Sequence, residues 1–457
     1  MAEAELVEEQ DGYELDDRLL PRVRRALASG DRARLDALFE PLHPADIADL
    51  LEQMDNSQRR ELLSTAADIV DGEVLSEISE GMREEIIDFL PSEVLSEAVR
   101  DLESDDVVDI LEDLEEPQQE AILDVLDDAD RVVVEQSLSY PEDSAGRLMQ
   151  REVVMGPEHW TVGEAIDYLR ANTDLPEQFY HMILVDPRMR PTGYVTLGRL
   201  LGARREAKLN ELTEESFRVI PADQDEGEVA YAFNQYHLIS APVVDEDDRL
   251  VGVITIDDAM VVLDEEHEED ILRLAGVAEG SLTDRVIATT RNRFPWLFVN
   301  LVTAILASLV IAQFDAAITQ IVALAVLMPI VASMGGNAGT QSLTVAVRSI
   351  ATKDLTGANV WRVIRRECLV GLVNGAIFAL VMGVVGVIWF GSPALGGVIA
   401  AAMVINMVVA GLAGTAIPVA LERMGVDPAL ASGAFVTTVT DVVGFFAFLG
   451  LAAMVLL

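Results

Sequence analysis

Residues 368–421 read CLVGLVNGAIFALVMGVVGVIWFGSPALGGVIAAAMVINMVVAGLAGTAIPVAL, a continuous run without a charged side chain. A helix that crosses the hydrocarbon core of a bilayer needs about 20 apolar residues, so this run is too long for one helix. The turn-forming residues Gly391, Ser392 and Pro393 divide it into two spans. The chain is therefore predicted to be an integral membrane protein.

Three further apolar runs complete a predicted five-helix transmembrane domain. They cover residues 294–314, 316–347 and 428–457, and Asp441 is the only charged residue within them. Arginine and lysine occur before the first span, between the second and third, and between the fourth and fifth. Short loops rich in these residues stay on the cytoplasmic side. The chain is therefore predicted to lie in the inner or plasma membrane of the cell, with residues 1–293 in the cytoplasm and the C-terminus on the outer side.

Two polar features within the spans predict a cation pathway. The first is Pro329 followed by the run GGNAGTQ at 335–341, which is expected to break the second span and to free backbone carbonyls at membrane depth. Carbonyl and amide oxygens are hard ligands that suit hydrated Mg²⁺. The residues predicted to line the pore are Gly335, Gly336, Asn337, Gly339, Gln341, Thr437 and Thr438.

The second feature is Asp441, near the middle of the fifth span. A carboxylate at this depth costs at least about 2.5–3.5 kcal/mol on insertion scales. None of the predicted spans contains Lys, Arg or His to pair with it, so a cation is its expected partner. The alternative is a structural acid that is protonated or hydrogen-bonded between helices.

The net negative charge of the chain lies in its first part. Residues 294–457 contain six acidic and six basic residues, so the formal net charge of −46 lies in residues 1–293. Such an anionic half repels nucleic acid and anionic lipid and favours cations. Cys368 is the only cysteine, which excludes an internal disulfide and a thiolate metal cluster. With two lysines among 32 basic residues, the composition also predicts a halophile-like protein from a high-salt organism, although GC-rich codons and cation sensing would give a similar bias.

Residues 18–139 show a recurring pattern of short amphipathic helices. The segment 44–54 resembles 104–114, and EVLSE occurs at both 73–77 and 93–97. Repeated helix pairs predict a small α-solenoid. Asp105 and Asp109 are four residues apart and share a helix face, which is either a metal site or a solvated acidic surface.

Residues 147–266 change to an α/β pattern. The order helix, strand, turn, strand occurs at 162–200 and again at 227–260. The turn DEDDR at 245–249 followed by LVGVITIDD resembles the second strand pair of a CBS domain. A tandem of two such modules, packed face to face, is therefore predicted.

Together these parts resemble the MgtE family of magnesium transporters over nearly the whole chain. The resemblance is carried by YPEDSAGRLM at 140–149, GGNAGTQ at 335–341, and GVDPAL at 425–430 leading to Thr440 and Asp441. It implies a homodimer with a pore on the two-fold axis, in which Asp441 holds hydrated Mg²⁺. The regulatory Mg²⁺ sites that the resemblance implies lie on Asp105, Asp109, Asp225, Asp258, Glu266, Glu269, Asp270 and Asp427.

The match to the family pattern is not complete. His237 and Gly227 stand where acids are expected, and Gly433 and Ala434 replace polar and proline residues near the pore mouth. CBS modules of this family can also bind adenine nucleotide, which places an ATP site at Thr255 and Asp258 of the second module.

The predicted fold class is thus a multidomain membrane protein with a helical N domain, tandem α/β CBS modules, a connecting helix and a five-helix transmembrane domain. The predicted parts are an acidic disordered tail at 1–17, the N domain at 18–139, the CBS modules at 140–206 and 207–266, the connecting (plug) helix at 267–292, and the transmembrane domain at 293–457.

The predicted function is a non-enzymatic, magnesium-selective channel or transporter gated by cytoplasmic Mg²⁺. A zinc protease would need histidines within the spans, and an anion pore would need Arg or Lys rings there. The predicted spans contain neither histidine nor arginine or lysine. A coupled carrier for another divalent cation, such as Mn²⁺ or Co²⁺, remains the alternative.

Overall fold

The computed structural model describes residues 18–100, 102–112, 114, 116–172, 175–176, 178–214, 217–277 and 286–457. The predicted tail at 1–17 and residues 278–285 of the predicted connector lie outside the described residues. The chain forms two compact units, and the division falls between Glu265 and Glu266.

Short amphipathic helices build the first part of the chain, as the repeating pattern predicts. They are α1 Leu19–Ser29, α2 Arg32–Phe39, α3 Pro44–Glu52, α4 Asn56–Ala66, α5 Gly72–Ser76, α6 Glu80–Phe89, α7 Ser92–Arg100, α8 Ser104–Glu112, α9 Glu116–Leu123 and α10 Asp128–Ser137. Side chains satisfy free N–H groups at the helix starts: Asp55 accepts from Gln58 N at 3.0 Å and Asp127 from Asp130 N at 3.1 Å. The apolar faces share one core, in which Leu50 and Leu111 are fully buried.

Two α/β modules follow, each with a three-stranded sheet, as the CBS resemblance implies. Their elements are α11 Ala145–Leu148, β1 Met155–Pro157, α12 Val162–Ala171, β2 His181–Val185, β3 Pro191–Thr196, α13 Leu197–Gly202, β4 Ile220–Pro221, α14 Glu226–Tyr236, β5 Ser240–Val244 and β6 Leu250–Thr255. In each sheet the middle strand pairs parallel with the short first strand and antiparallel with the last. The middle strands β2 and β5 are buried along their length, which explains why their sequences are largely apolar.

The two modules pack against each other through equivalent strands. His181 of β2 forms a hydrogen bond with Ser240 of β5, and Leu250 N donates to Met189 O at 2.8 Å. Ile183 and Val253 belong to one small apolar cluster. The tandem therefore forms a single α/β body.

The connector differs from the single helix predicted over 267–292. Helix α15 runs Ile256–Leu274 and begins within the second CBS module. Gly276 follows it with φ +76, a left-handed conformation that commonly ends helices. The next described helix, α16, runs Val286–Ala312. The described part of the connector is thus divided between the second half of α15 and the start of α16.

The transmembrane unit continues with α17 Asp315–Gln320, α18 Ala323–Ala351, α19 Val360–Phe390, α20 Pro393–Arg423 and α21 Pro428–Leu456. Among the described residues, five helices are long and apolar enough to cross a membrane, namely α16 and α18–α21. Gly391, with φ +66, ends α19, and the Ser392 hydroxyl caps α20 by accepting from Leu395 N at 3.3 Å. The predicted division of residues 368–421 into two spans is confirmed.

Helix α20 packs against α18, α19 and α21 at very short range. A Cβ at Gly411 would lie 2.5 Å from Glu367 O, and one at Gly414 would lie 2.5 Å from Gly339 O. Small residues allow backbones to approach this closely in a bilayer, where helix association depends on close packing.

The predicted break in the second span is wrong. Helix α18 is continuous through Pro329 and the 335–341 run. The glycines serve helix contacts instead, since a Cβ at Gly335 would lie 2.1 Å from Asn406 Nδ2 and one at Gly339 would lie 2.6 Å from Val436 Cγ1. A helix in lipid keeps its backbone groups paired internally, so the carbonyls of this run are not freed as ligands.

Candidate functional site

Asp441 lies on α21 with its side chain half-buried. The neighbouring Thr437 hydroxyl donates to Gly433 O at 3.0 Å, and the Thr438 hydroxyl donates to Ala434 O at 2.5 Å. Within the described part of the chain, no residue forms a hydrogen bond or an ion pair with the Asp441 carboxylate. The transmembrane helix therefore carries an acid whose charge this part of the chain does not compensate.

The polar run of α18 divides between two sides of the helix. Gly335 and Gly339 are buried against neighbouring helices, whereas Asn337 and Gln341 are exposed. Gly336 has open space beside it. The Asn337 amide Nδ2 donates to Ser333 Oγ at 3.4 Å, which leaves its carbonyl oxygen for another partner. The ligands that this helix can offer are thus amide oxygens.

Among the described buried polar side chains of the transmembrane unit that the predicted site lacks, one carries an amide and one a carboxylate. Asn406 of α20 is fully buried, its Nδ2 donates to Val331 O at 2.8 Å, and no partner for its Oδ1 is found among the described residues. Glu367 of α19 is buried and accepts from Ser342 Oγ at 3.0 Å. Asn406 could have been noticed as a polar residue in an apolar span. Glu367 precedes the uncharged run that begins at Cys368, although it lies inside α19, which begins at Val360.

In the first unit, the start of α8 faces the start of α15. Burial, followed by the charge of Asp258, raises the pKa of Asp105 well above its usual range. Burial also raises the pKa of Asp258 to about 6, although Asp258 accepts from Thr255 Oγ1 at 2.6 Å. Asp109 lies one turn further along α8 and pairs with Arg83 at 2.9 Å. The fold therefore brings three of the predicted regulatory acids together between the N domain and the second CBS module.

Sequence reasoning missed two further acids at this contact. Burial and then Glu152 raise the pKa of Glu103 to about 7, and burial and then Asp258 raise that of Asp106 to about 7. Glu152 accepts from Ser104 Oγ at 2.8 Å. The acid-rich sequence at the start of α8 could have indicated both, but the sequence analysis considered only the pair of acids four residues apart.

A second acidic group surrounds the start of α14. Asp225 caps this helix by accepting from Glu228 N at 3.1 Å. Its neighbour Glu226 has a pKa raised to about 8, by burial first and then by Asp143, Glu265 and Glu112. Glu226, which the sequence analysis did not select, is thus an electrostatically strained acid beside the predicted Asp225.

In the second unit, the end of α15 meets the start of α21. Asp427 caps α21 by accepting from Ala429 N at 2.7 Å, and Arg273 Nη1 lies 3.6 Å from its Oδ2. Arg273 also pairs with Glu269 at 2.5 Å. Burial and then Asp427 raise the pKa of Asp270. Glu266 is exposed on the same helix.

The predicted metal ligands do not form a closed coordination shell. Across the residues that the structure describes, no three His, Cys, Asp or Glu side chains converge on one point. The acids instead form groups whose like charges raise one another's pKa. In the predicted nucleotide site, Thr255 and Asp258 are bonded to each other. At the equivalent place in the first module, Arg199 pairs with Glu214 at 2.9 Å.

Three family models match the chain. Residues 328–451 match MgtE, a divalent cation transporter family, residues 42–143 match the MgtE intracellular N domain, and residues 145–206 and 210–265 match the CBS domain. The chain is 30% identical over 441 residues to the magnesium transporter MgtE of Bacillus subtilis, covering 95% of this chain and 97% of the relative. It is 33% identical over 448 residues to the magnesium transporter MgtE of Thermus thermophilus, covering 97% and 99%.

Among solved structures, the first part of the chain is similar to the cytosolic domain of the Mg²⁺ channel MgtE in complex with ATP. The two are 32% identical with a TM-score of 0.49, covering 53% of this chain and 100% of that one.

Proposed function

The chain belongs to the MgtE family of magnesium transporters, and from that premise we propose that it is a magnesium-selective channel gated by Mg²⁺ on its cytoplasmic side. It is a multi-pass membrane protein. The observation that carries the channel proposal is the half-buried Asp441 carboxylate, which has no hydrogen-bond or ion-pair partner among the described residues.

We propose that two copies of the chain place their Asp441 carboxylates beside a common pore axis. A carboxylate in a bilayer is stabilised by a cation, and Mg²⁺ usually keeps several waters and binds through one or two carboxylates. The exposed amides of Asn337 and Gln341 can accept hydrogen bonds from such waters. Thr437 and Thr438 donate their hydroxyl protons to the helix backbone, which leaves their oxygens free to accept hydrogen bonds from such waters.

The gating proposal rests on the electrostatics of the acidic groups. When they are ionised, Asp105, Asp106, Asp258 and Glu103 repel one another across the contact between the N domain and the CBS pair, and this repulsion contributes to their raised pKa values. A divalent cation held between Asp105 and Asp258 replaces this repulsion by attraction. Mg²⁺ therefore favours a compact, closed state in which the N domain contacts the CBS pair, because it binds that state more tightly. Open, partly hydrated carboxylate sites bind weakly, which places the response at about 10⁻⁴–10⁻³ M.

The connector is proposed to pass this signal to the pore. Asp270 and Asp427 share a site at the junction of α15 and α21, and Arg273 compensates only part of their charge. Replacing Glu266, Glu269 and Asp270 together by their amides should abolish protection of residues 264–290 by Mg²⁺ in limited proteolysis, and should leave the pore open. Normal closure of this triple variant would contradict the gating proposal and leave the pore proposal standing.

The orientation we propose places the N-terminal half in the cytoplasm and the C-terminus outside. Its support is the distribution of arginines, since Arg348, Arg362 and Arg423 lie at the end of α18, the start of α19 and the end of α20, beside the predicted cytoplasmic loops. For the second CBS module we propose an ATP site in which Asp258 binds the ribose. Its support is the 2.6 Å Thr255–Asp258 bond, which fixes the orientation of the carboxylate.

The decisive experiment replaces Asp441 by asparagine, which keeps the shape and removes the charge. The variant should fold but lose most Mg²⁺ uptake into proteoliposomes. Asp315→Asn, at the start of α17, is a matched control and should transport normally. Wild-type uptake by Asp441→Asn would refute the pore assignment. Single-channel currents under a pure Mg²⁺ gradient separate a channel from a coupled carrier of Mn²⁺ or Co²⁺.

A further inference from the structure

A cavity opens between α19 and α20 at the ends of these helices that carry arginine. Its volume is about 320 Å³. The lining includes Val360, Trp361, Ile364, Val419, Ala420 and Arg423. The cavity thus combines an apolar floor with one aromatic and one cationic side chain.

The two large side chains of this cavity are those expected at a membrane interface. Trp361 is 69% exposed, and tryptophan is enriched where the hydrocarbon core meets the headgroups. Arg423 is exposed in the last turn of α20. A guanidinium group binds phosphate through parallel N–H donors. The apolar floor and the cation therefore match the two parts of a phospholipid.

The surrounding charge favours an anionic lipid. Arg362, Arg365 and Arg366 are exposed on the first two turns of α19. Neither they nor Arg423 form an ion pair with any other described residue. Basic pockets between transmembrane helices bind acidic headgroups in this way. A free anion would leave the apolar floor in contact with water, whereas a lipid covers it with an acyl chain.

We propose that this cavity is a binding site for an anionic glycerophospholipid. The phosphodiester lies against Arg423, Trp361 lies beside the glycerol backbone, and one acyl chain follows Val360, Ile364 and Val419. The cytoplasmic leaflet as the source of the lipid rests on the proposed orientation. The binding itself does not depend on the proposed ion transport.

The test measures quenching of Trp361 fluorescence in the full-length protein by phosphatidylglycerol with brominated chains, at low salt in mixed micelles. Subtracting the signal of Trp361→Phe isolates this residue from the other tryptophans. Brominated phosphatidylcholine is the neutral comparison. Phosphatidylglycerol should quench at lower mole fraction, and Arg423→Gln should weaken its apparent affinity about fivefold, the value expected for one arginine near a charged surface.

Arg348→Gln is the matched control, because Arg348 is an exposed arginine at the end of α18 and does not line the cavity. It should leave the affinity unchanged. Equal quenching by the two lipids, or equal losses in the two arginine variants, would overturn the proposal. Displacement of the lipid by inorganic phosphate at equal ionic strength would overturn it in favour of a simple anion site. Each result is independent of Mg²⁺ uptake, so a failure here leaves the proposed function untouched.

Discussion

Replacing Glu103 by glutamine should strengthen the contact between α8 and the CBS pair. Burial and the charge of Glu152 raise the pKa of Glu103 from 4.5 to about 7. Gln150 Nε2 donates to Glu103 Oε2 at 2.5 Å, and a glutamine oxygen can accept the same bond. The substitution therefore removes one negative charge from a crowded contact and keeps the hydrogen bond.

The expected size of this effect follows from the raised pKa. A change from 4.5 to about 7 corresponds to roughly 3 kcal/mol between the charged and neutral forms. Because Glu103 is only half-buried, solvent screens much of this energy, and about 1 kcal/mol is the expected gain at neutral pH. The Mg²⁺ concentration at half-closure should then fall about fivefold.

The assay is limited proteolysis of the detergent-solubilised full-length protein over a Mg²⁺ titration at constant ionic strength. Cleavage within residues 264–290 reports the open state. Glu97→Gln removes the same charge from an exposed position on α7 and should not change the midpoint. A midpoint unchanged in Glu103→Gln would show that repulsion at this residue is unimportant. A higher midpoint would show that Glu103 helps to hold Mg²⁺ and would contradict the prediction.

Three further outcomes are expected. Asp258→Asn should raise the midpoint of the same titration, because it removes a carboxylate that is proposed to hold Mg²⁺ together with Asp105. Lowering the pH from about 8 to about 6 should reduce the Mg²⁺ concentration needed for half-closure. The pKa of Glu226 is raised from 4.5 to about 8, so its protonation stabilises the compact state; this contribution is complete below pH 4.5 and is lost as the pH rises to 8. A pH-independent midpoint would contradict this. Gly335→Ala should destabilise the protein by about 1–3 kcal/mol in thermal unfolding, because its Cβ would lie 2.1 Å from Asn406 Nδ2, whereas Gly336→Ala, beside open space, should not.

Local sequence patterns predicted much of the secondary structure of both units. The apolar strands of the CBS modules, the amphipathic helices of the N domain and the turn at Gly391 are all where the pattern places them. The prediction failed at 335–341, where glycine was interpreted as a break although it provides room for Asn406. A glycine that is needed for close packing and one that ends a helix look identical until the neighbouring helix is known.

The sequence predicted those acids of the candidate site whose own segment makes them unusual, and it missed those that are unusual only because of their neighbours in space. Asp441 stands out in the sequence because a charge in an apolar span is costly wherever its helix packs. Glu226 does not, since nothing in its local sequence distinguishes it from Asp225, and its raised pKa comes from burial beside Asp143, Glu265 and Glu112.

The sequence by itself determined that the chain crosses a membrane and that its net negative charge lies in the first 293 residues. It also determined that helices and strands alternate in the CBS modules. These properties depend on composition and on the period of apolar residues along one segment. Only the tertiary structure decided which acids face one another, that Glu367 and Asn406 are buried, and that Arg423 and Trp361 share one cavity. Burial and charge–charge repulsion depend on distances through space between residues far apart in the chain, and those distances exist only once the helices and modules have packed.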